Sequence, residues 1–304
     1  MRQWMWVVLA AAIVGVAGCS TGPREFGVSY NDTEGIVKIG GQAVMRYQFG
    51  GVPFKPYVQE LRSPAGVQVL RDAPADHLHH HALMFGIGVD GVDFWAETPG
   101  CGKQVHRSNS ILTDGRSGEM GRLVEKLDWM GPEGMLLQEG RSIETTLRGT
   151  ATVLTWRSRL MRPEGMAAAK LTGSHYFGLG MRFVESMDKV ARFVYANEAE
   201  GPVVRGDERL TPGRWCAVQG QVDGKDVTIA MFNSPSNPRP VAWFTMREPF
   251  TYLSATMRLH ETPMELTAGK PMNLRYGVAV WDGTVGPQEI ARVYGEWRER
   301  GSNY

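Results

Sequence analysis

The stretch DHLHHHALMFG, at residues 76–86, places an aspartate and four of the chain's seven histidines within six positions. An imidazole titrates near neutral pH, so it can take up or donate a proton during a reaction. It also binds divalent transition metals. If the stretch begins a strand, His77, His79 and His81 share one face and His80 lies on the other. The cluster therefore predicts a functional site, used either for acid–base chemistry or for a metal.

A metal site at this cluster needs a further ligand from elsewhere in the chain. The candidates are His106, Glu97, Glu139 and His175, and the alternative site that we favour joins His106 to His77 and His79. No spacing such as HExxH marks an established zinc motif. We therefore expect acid–base chemistry without a cofactor and keep a divalent transition metal as the alternative.

The segment after the cluster is predicted to fold back onto it. Asp90 and Gly91 form a dipeptide typical of a two-residue hairpin turn, which would bring Asp93 and Trp95 toward the histidines as substrate-binding residues. Aromatic rings pair with the apolar faces of sugars, so Trp95 could form a stacking platform. Burial in the core is the competing interpretation for Trp95.

Two more segments carry side chains suited to the same chemistry. Glu139 and Arg141 lie two positions apart on a predicted strand and hence on one face. They could form a structural ion pair, or an oriented base with a substrate clamp. In GSHYFGLGMRF, at residues 173–183, His175 and Arg182 lie among glycines that allow other groups to approach the backbone. We expect His175 to transfer protons at the edge of the site and Arg182 to bind substrate.

The N-terminus has the layout of a secretory signal: an arginine, an apolar run too short for a comfortable membrane span, and small residues ending at Cys19. The sequence VAGC resembles the lipobox of bacterial lipoproteins, in which the cysteine carries the lipid, and Ser20 favours the outer membrane. An ordinary signal peptide is the alternative. We therefore expect a signal peptide at 1–19, a tether at 20–34 and one domain at 35–304, anchored in the cell envelope and facing the periplasm or the cell surface.

Composition narrows the classes of function. The 304 residues are 42% hydrophobic, which is enough for a large core. The net charge of +1, without a basic block, gives no support to nucleic-acid binding. Cys101 and Cys216 remain after the lipobox cysteine. Two separate thiols are their expected state, and a disulfide between them is the alternative that an oxidising periplasm permits.

Short β-rich runs cut by glycine and proline predict an all-β sandwich. The predicted strands cover residues 35–50, 66–72, 81–89, 135–147, 150–161, 225–233, 241–246 and 273–283. Residues 117–130 fit an amphipathic helix or a strand with long polar side chains. Residues 286–300, with a proline in the first turn and apolar residues at helical spacing, predict a short C-terminal helix.

Seven segments spread over the mature chain match the motifs of a known family: KPYVQELRSPAGVQVLRD, DHLHHHALMFGIGVDGVDFW, QVHRSNSIL, LLQEGRS, GLGMRF, DGKDVTIAMFNSPSNPRPVAWFTM and LTAGKPMNLRYGVAVWDG. They resemble a bacterial family of PmoA-like proteins, often labelled methane oxygenase. The resemblance implies a galactose-mutarotase-like β-supersandwich that acts on a sugar. Methane oxidation itself is excluded, because such subunits span the membrane several times and this chain has no apolar stretch of about 18 residues beyond its signal.

The resemblance also implies the residues of the site, by the positions that match its motifs: His77, His79, His80, His106, Glu139 and Arg141. In the implied chemistry His80 and His106 exchange protons, and Glu139 serves as a base or as an orienting group. Arg141 holds an anionic or hydroxyl group of the sugar, while His77 and His79 bind substrate beside it.

The sequence departs from the family pattern at several of these positions. Leu78 replaces a proline, Ala82 replaces a glycine, and His81 replaces an arginine and is expected to bind substrate in its place. Ser234 and Phe244 stand where the family has histidines. The lost polar groups leave open a second possibility, in which the protein binds a glycan without catalysis.

The sequence as a whole predicts a lipid-anchored, all-β supersandwich with a short C-terminal helix that binds a carbohydrate or glycan. The expected activity is acid–base chemistry on the sugar, of the hydrolase, lyase or epimerase type. The alternatives are a non-catalytic glycan-binding lipoprotein and a metalloprotein that uses the histidine cluster.

Overall fold

The computed structural model describes residues 25–107, 120–197 and 199–301. The expected signal peptide at 1–19, with its Cys19, lies outside the described residues. Within those residues the chain forms three antiparallel sheets and one α-helix near the C-terminus. The predicted fold class, all-β with a short C-terminal helix, is confirmed.

The largest sheet has ten strands, which in spatial order are β1 (Phe26–Tyr30), β2 (Glu34–Ile39), β3 (Gln42–Gln48), β4 (Tyr57–Leu61), β5 (Leu83–Gly86), β13 (Gly178–Arg182), β20 (Tyr252–Thr256), β19 (Ala242–Met246), β16 (Glu208–Pro212) and β15 (Val203–Arg205). The second sheet has eight strands, in the order β14 (Arg192–Tyr195), β17 (Trp215–Val222), β18 (Lys225–Asn233), β22 (Met272–Asp282), β11 (Ala151–Met161), β10 (Gly134–Arg148), β9 (Met120–Gly131) and β8 (Lys103–His106). A small third sheet has the order β21 (Met264–Leu266), β12 (Ala169–Thr172), β6 (Gly88–Val89) and β7 (Val92–Asp93).

The ten-stranded and eight-stranded sheets pack face to face. The ring of Phe85 in β5 lies 5.9 Å from the ring of Trp129 in β9. The hydroxyls of Tyr195 in β14 and Thr245 in β19 form a hydrogen bond of 3.0 Å across the same interface. Because side chains alternate along each strand, every second residue of both sheets enters this layer. The main hydrophobic core therefore lies between the two sheets.

Helix α1 (Pro287–Arg300) covers the opposite face of the eight-stranded sheet. Its buried residues recur at helical spacing: Ile290, Val293, Tyr294 and Trp297. The indole nitrogen of Trp297 also donates to the hydroxyl of Thr155 at 2.9 Å. The helix predicted at 286–300 is therefore confirmed. No helix in the described part of the chain is both long and apolar enough to cross a bilayer.

The face of the ten-stranded sheet that is turned away from the core is called the outer face. Thr245 points into the core, so its neighbours Phe244 and Met246 point outward. Opposed residues of neighbouring antiparallel strands share a face. Met246 is paired with Tyr252, and Tyr252 with Arg182, so these two side chains also lie on the outer face.

Gly180 in β13 allows aromatic side chains to lie flat on the outer face. A Cβ atom at this position would overlap the hydroxyl of Tyr252 and lie 2.9 Å from Cη2 of Trp95. We expect Gly180→Ala to lower the free energy of unfolding by about 1–3 kcal/mol, measured by urea denaturation. Gly140→Ala is the matched control, because nothing lies within 4 Å of its added Cβ. An equal loss in the two variants would contradict this explanation.

Three sequence expectations are revised by the strand bounds. The tether expected at 20–34 ends earlier, because Phe26–Tyr30 form β1 and pair with β2. The strand expected at 66–72 is wrong, since this segment makes only isolated bridges to its neighbours. Of the two alternatives for 117–130, the structure shows the strand, as β9.

Candidate functional site

A cleft opens on the outer face, beside the edge formed by β15 and β16. Its volume of about 390 Å³ lies within the range of small-molecule sites. Imidazoles, a carboxylate and aromatic rings line it: His77, His79, His80, Tyr176, Arg205, Glu208, Phe244, Met246, Pro249, Phe250 and Tyr252. The cleft thus combines titratable groups with apolar surfaces on which a ring can rest.

Two adjacent strands supply the floor of the cleft. Phe244 and Met246 come from β19, and Tyr252 comes from β20. The segment before β5 forms one wall, and the β15–β16 hairpin forms the opposite wall. The two walls therefore face each other across the floor formed by β19 and β20.

The segment before β5 forms two consecutive turns. The N–H of His77 donates to the carbonyl of Pro74, and the N–H of His80 donates to the carbonyl of His77, each at 2.9 Å. Proline is typical of such turns, because its fixed φ suits them. The alternation expected for a strand is therefore wrong. His77 and His80 both line the cleft together with His79, whereas His81 points elsewhere.

Three imidazoles form what we call the histidine wall: His77, His79 and His80. The rings of His77 and His80 stack at 4.6 Å with 23° between their planes, and the ring of His79 meets His80 edge-on at 4.6 Å. His80 in turn packs against Tyr252 at 5.2 Å and Phe250 at 5.4 Å. The aromatic floor therefore holds the wall in place.

Two histidines of the wall are neutral at neutral pH. Burial, together with the neighbouring His79 and His77, lowers the pKa of His80 to about 2. Burial also lowers the pKa of His79 from its ordinary value. A neutral imidazole carries one N–H donor and one lone pair, which suits it to bind hydroxyl groups or to accept a proton.

Removing His80 is expected to weaken the dependence of stability on acid. With a folded pKa of about 2, His80 binds no proton at pH 5, whereas in the unfolded chain it binds one below its ordinary pKa of 6.5. Below pH 6.5 unfolding therefore takes up a proton, which favours the unfolded chain. The free energy of unfolding is unaffected by protonation of His80 above pH 6.5 and falls progressively below it. The loss attributable to His80 at pH 5 is about 2 kcal/mol. In His80→Gln the fall in unfolding free energy between pH 7 and pH 5, measured in urea, should be smaller by about this amount; equal falls would refute the assignment.

Asp76 orients His77. Its Oδ2 lies 3.0 Å from Nδ1 of His77 and accepts a hydrogen bond of 3.1 Å from Nη2 of Arg182. Burial acts to raise the pKa of Asp76, but the hydrogen bonds from His77 and Arg182 lower it to about 2. An ionised carboxylate only accepts, so the proton of neutral His77 lies on Nδ1 and the lone pair on Nε2. His77 is therefore an imidazole with a fixed tautomer, as a general base requires.

Glu208 and its partners form the wall opposite the histidines. The carboxylate lies 3.0 Å from Nε2 of His175 and accepts a hydrogen bond of 2.6 Å from Arg205. Tyr176 lines the same side, and burial raises the pKa of its hydroxyl, which therefore stays protonated. His175 lies behind Glu208, packed on the ring of Tyr176 at 5.0 Å. His175 and Arg182 are both absent from the lining of the cleft, so the expectations that His175 transfers protons and that Arg182 binds substrate there are corrected. His175 instead holds Glu208, and Arg182 holds Asp76.

Sequence reasoning missed Glu208 and Arg205. Both belong to RGDERL, at 205–210, and a charged stretch of this kind is typical of a solvated turn. No local signal marks them, because Glu208 is brought to the cleft by strand pairing: it shares a face of β16 with Leu210, and Leu210 is paired with Phe244 of the floor.

His81 belongs to a separate polar cluster. Its Nδ1 lies 2.9 Å from Asp72 and its Nε2 lies 3.2 Å from Glu97, which also binds Lys55 at 2.5 Å. Burial acts to lower the pKa of His81, but the hydrogen bonds to the two carboxylates raise it. The expectation that His81 binds substrate is corrected, because both ring nitrogens are occupied. Its role is to anchor the end of the histidine segment.

Three further expected site residues lie in the core between the sheets. Arg141 donates to both carboxylate oxygens of Glu139, at 2.9 and 2.8 Å, and both side chains are 0% exposed. Arg141 also donates to Tyr47, whose hydroxyl donates to Glu125, and Glu125 lies 2.8 Å from Nδ1 of His106. We call this group the core ion network. Glu139, Arg141 and His106 were expected at the substrate, and this is corrected because they face the core.

Trp95 and Asp93 also have structural roles. The hairpin expected at Asp90 and Gly91 is present, as the turn between β6 and β7. Trp95 is only 2% exposed and stacks on Phe177 at 5.3 Å, so the expectation of a stacking platform for substrate is corrected. The carboxylate of Asp93 accepts a hydrogen bond from the N–H of Trp95 at 2.6 Å, and thereby fixes the chain that follows the hairpin.

The alternative metal site is not assembled. His106 belongs to the core ion network, whereas His77 and His79 line the cleft. Among the described residues, no group of three or more histidine, cysteine, aspartate and glutamate side chains is arranged to hold a metal ion. Cys101 and Cys216 are free thiols.

Comparison with known proteins identifies a family but no function. The family described as a family of unknown function, DUF6807, matches residues 36–295. No curated protein matches the sequence. The match gives no support to the PmoA-like name, which stays a prediction.

Several solved structures resemble the chain at low identity. One is the galactosidase domain of an alpha-galactosidase–sucrose kinase, with 7% identity and a TM-score of 0.44 over 86% of this chain, which spans 41% of that protein. A galactose mutarotase related enzyme from Lactobacillus acidophilus has 9% identity and a TM-score of 0.38 over 85% of this chain and 98% of its own. A glycoside hydrolase family 97 enzyme from Pseudoalteromonas sp. strain K8 has 10% identity and a TM-score of 0.37 over 87% and 35%.

Proposed function

This chain belongs to the family of unknown function DUF6807, and we propose that it binds a carbohydrate in the cleft and processes it by acid–base chemistry. The observation that carries the proposal is the meeting of the histidine wall with Glu208 and Tyr176 across an aromatic floor. Aromatic surfaces pack on the apolar faces of sugar rings, and a few fixed polar groups select the positions of hydroxyls.

His77 is the proton acceptor of the proposed reaction. Asp76 holds its Nδ1–H, so Nε2 carries the lone pair that takes a proton from a hydroxyl or a carbon of the sugar. The imidazolium that forms is stabilised by the ionised carboxylate of Asp76. Arg182 keeps that carboxylate in place through its hydrogen bond.

The opposite wall supplies the complementary groups. Tyr176 carries a protonated hydroxyl and is the proposed donor. Glu208, held by His175 and Arg205, accepts hydrogen bonds from sugar hydroxyls. Elimination and epimerisation take a proton from the sugar, and hydrolysis takes one from the attacking water; each returns a proton to the sugar or to the group that leaves it. The proposal concerns this shared transfer between a base and an acid.

A panel of sugars tests the proposal. Purified protein is titrated with neutral and acidic monosaccharides and with short oligosaccharides by calorimetry, and the same mixtures are followed by NMR for new sugar signals. Binding together with turnover supports the proposal. Absence of binding to every sugar in the panel overturns it.

A second candidate function is glycan binding without catalysis. The floor residue Phe244 favours it, because the family that the sequence resembles has a histidine at this position and the phenyl ring removes a titratable group from the cleft. This candidate predicts that sugars bind, that no new sugar signals form, and that His77→Gln binds as tightly as the unaltered protein.

We also propose that the protein is lipid-anchored through Cys19 at the periplasmic side of the cell envelope. The VAGC sequence after an apolar run supports this proposal. Cys19→Ser is expected to abolish labelling by a radioactive or alkynyl fatty acid in cells and to move the protein from the membrane fraction to the soluble fraction. Undiminished labelling of the variant would show that the lipid is elsewhere.

A further inference from the structure

A second groove lies on the other side of the segment that carries Tyr176. It holds about 260 Å³, which is below the usual range of an independent ligand site. Its walls come from the β6–β7 hairpin, from the end of β12 and from the segment between β12 and β13. A groove of this size, beside a larger cleft, has the dimensions of an accessory subsite.

The groove offers groups that recognise hydroxyls. The carboxylate of Asp93 is held there by the backbone N–H groups of Trp95 and Ala96, at 2.6 and 3.1 Å. The hydroxyl-bearing residues Thr172 and Ser174 line the same groove. Carboxylate and hydroxyl oxygens are suited to hydrogen bonding with sugar hydroxyls.

An aromatic ring lines the groove as well. Phe177 stands on its wall and is stacked on the buried ring of Trp95 at 5.3 Å, with 13° between the planes. Three of the lining residues are glycines, so little side-chain bulk fills the space. The groove therefore repeats, on a smaller scale, the pairing of polar groups and aromatic surface that is found in the cleft.

The cleft and the groove are joined through one short segment. Tyr176 lines the cleft and the next residue, Phe177, lines the groove. The hydroxyl of Ser174 lies 3.3 Å from Nδ1 of His175, and Nε2 of His175 lies 3.0 Å from Glu208 in the cleft. One chain of hydrogen bonds thus crosses from one site to the other. Consecutive residues of one segment therefore line the two sites, which lie on either side of it.

From this juxtaposition we infer that the ligand is an oligosaccharide, with one sugar unit in the cleft and the adjoining unit in the groove. The inference rests on the proposed carbohydrate function and narrows its substrate class. The cleft holds the unit that reacts, and the groove of Asp93, Thr172 and Phe177 selects for chain length.

The dependence of affinity on chain length tests the inference. The purified protein is titrated by calorimetry with gluco-, manno-, xylo- and galacto-oligosaccharides of one to four units. In the series that binds, the dissociation constant should fall about tenfold or more from one unit to two and then level off. Val92→Trp places an indole in the groove. This variant is expected to abolish the gain from the second unit and to leave the affinity for the monosaccharide unchanged.

Two further variants complete the experiment. Thr172→Val removes a groove hydroxyl with little change of shape, and it should weaken the binding of disaccharide but not of monosaccharide, whether or not the tryptophan variant folds. Val105→Trp is the control, because Val105 lies on β8, is 44% exposed and is absent from both linings. Equal affinities for one unit and two in the unaltered protein overturn the inference and leave the proposed function standing. Failure of every sugar to bind overturns both.

Discussion

Replacing Arg141 by methionine is expected to lower the free energy of unfolding by about 3–5 kcal/mol. Arg141 and Glu139 are joined by two hydrogen bonds and neither side chain reaches solvent. Methionine fills much of the same volume but leaves the carboxylate of Glu139 in the core without its cation. Burial of an unpaired charge is far more costly than the loss of an exposed ion pair. Urea denaturation followed by tryptophan fluorescence measures the loss.

The double variant Glu139→Gln with Arg141→Met provides the control. The double variant removes the buried carboxylate of Glu139 together with its cation, so it should recover a substantial part of the loss. A single variant as stable as the unaltered protein would mean that Glu139 finds another partner or takes up a proton. In that case the core ion network would not be the structural unit described above.

The second large effect is expected at His77. If His77 is the general base, His77→Gln should lower the turnover of the bound sugar by about 10²–10⁴-fold, while the dissociation constant of the sugar changes little. Glutamine keeps a polar group of similar length at the cleft but has no basic nitrogen. NMR assays of turnover and calorimetric titrations of the same variant separate the two quantities. Unchanged turnover would exclude His77 as the base.

Asp76→Asn probes the positioning role that we assign to Asp76. The amide can present its N–H to Nδ1 of His77, which favours the tautomer with the proton on Nε2 and removes the lone pair from that atom. Turnover should fall, and its dependence on pH should change, because the charge beside the imidazole is lost. His106→Gln is the control: His106 was expected to transfer protons from the sequence, but it lies in the core ion network. Its replacement should leave the pH profile of turnover unchanged.

The sequence was most informative where structure is decided locally. The run at 150–161 alternates in the way of a half-buried strand, and the structure has β11 there. The apolar spacing at 286–300 likewise corresponds to α1. The run at 66–72 has a similar composition, yet it forms only isolated bridges. Strand formation there depends on partners that are distant in the chain, and local pattern does not report them.

The same difference between local sequence and long-range pairing explains which residues of the site could be predicted. The histidines of the wall are neighbours in sequence, so their clustering was visible without any knowledge of the fold. Glu139 and Arg141 were correctly placed on one face of a strand, but the sequence does not say which face of β10 meets the opposing sheet. Only one face of the eight-stranded sheet meets the ten-stranded sheet, and the pair lies on that side. Glu208 reaches the cleft only through the order of strands in the sheet.

The position of β22 has a consequence for how the chain folds. It is the last strand of the chain, yet it lies between β11 and β18 in the middle of the eight-stranded sheet. Until it has emerged from the ribosome, both of those neighbours present open edges that can pair with other chains. Closure of the sheet must therefore wait for nearly complete synthesis. The eight-stranded sheet therefore stays incomplete until late in synthesis, which is compatible with export of the proposed lipoprotein before folding is finished.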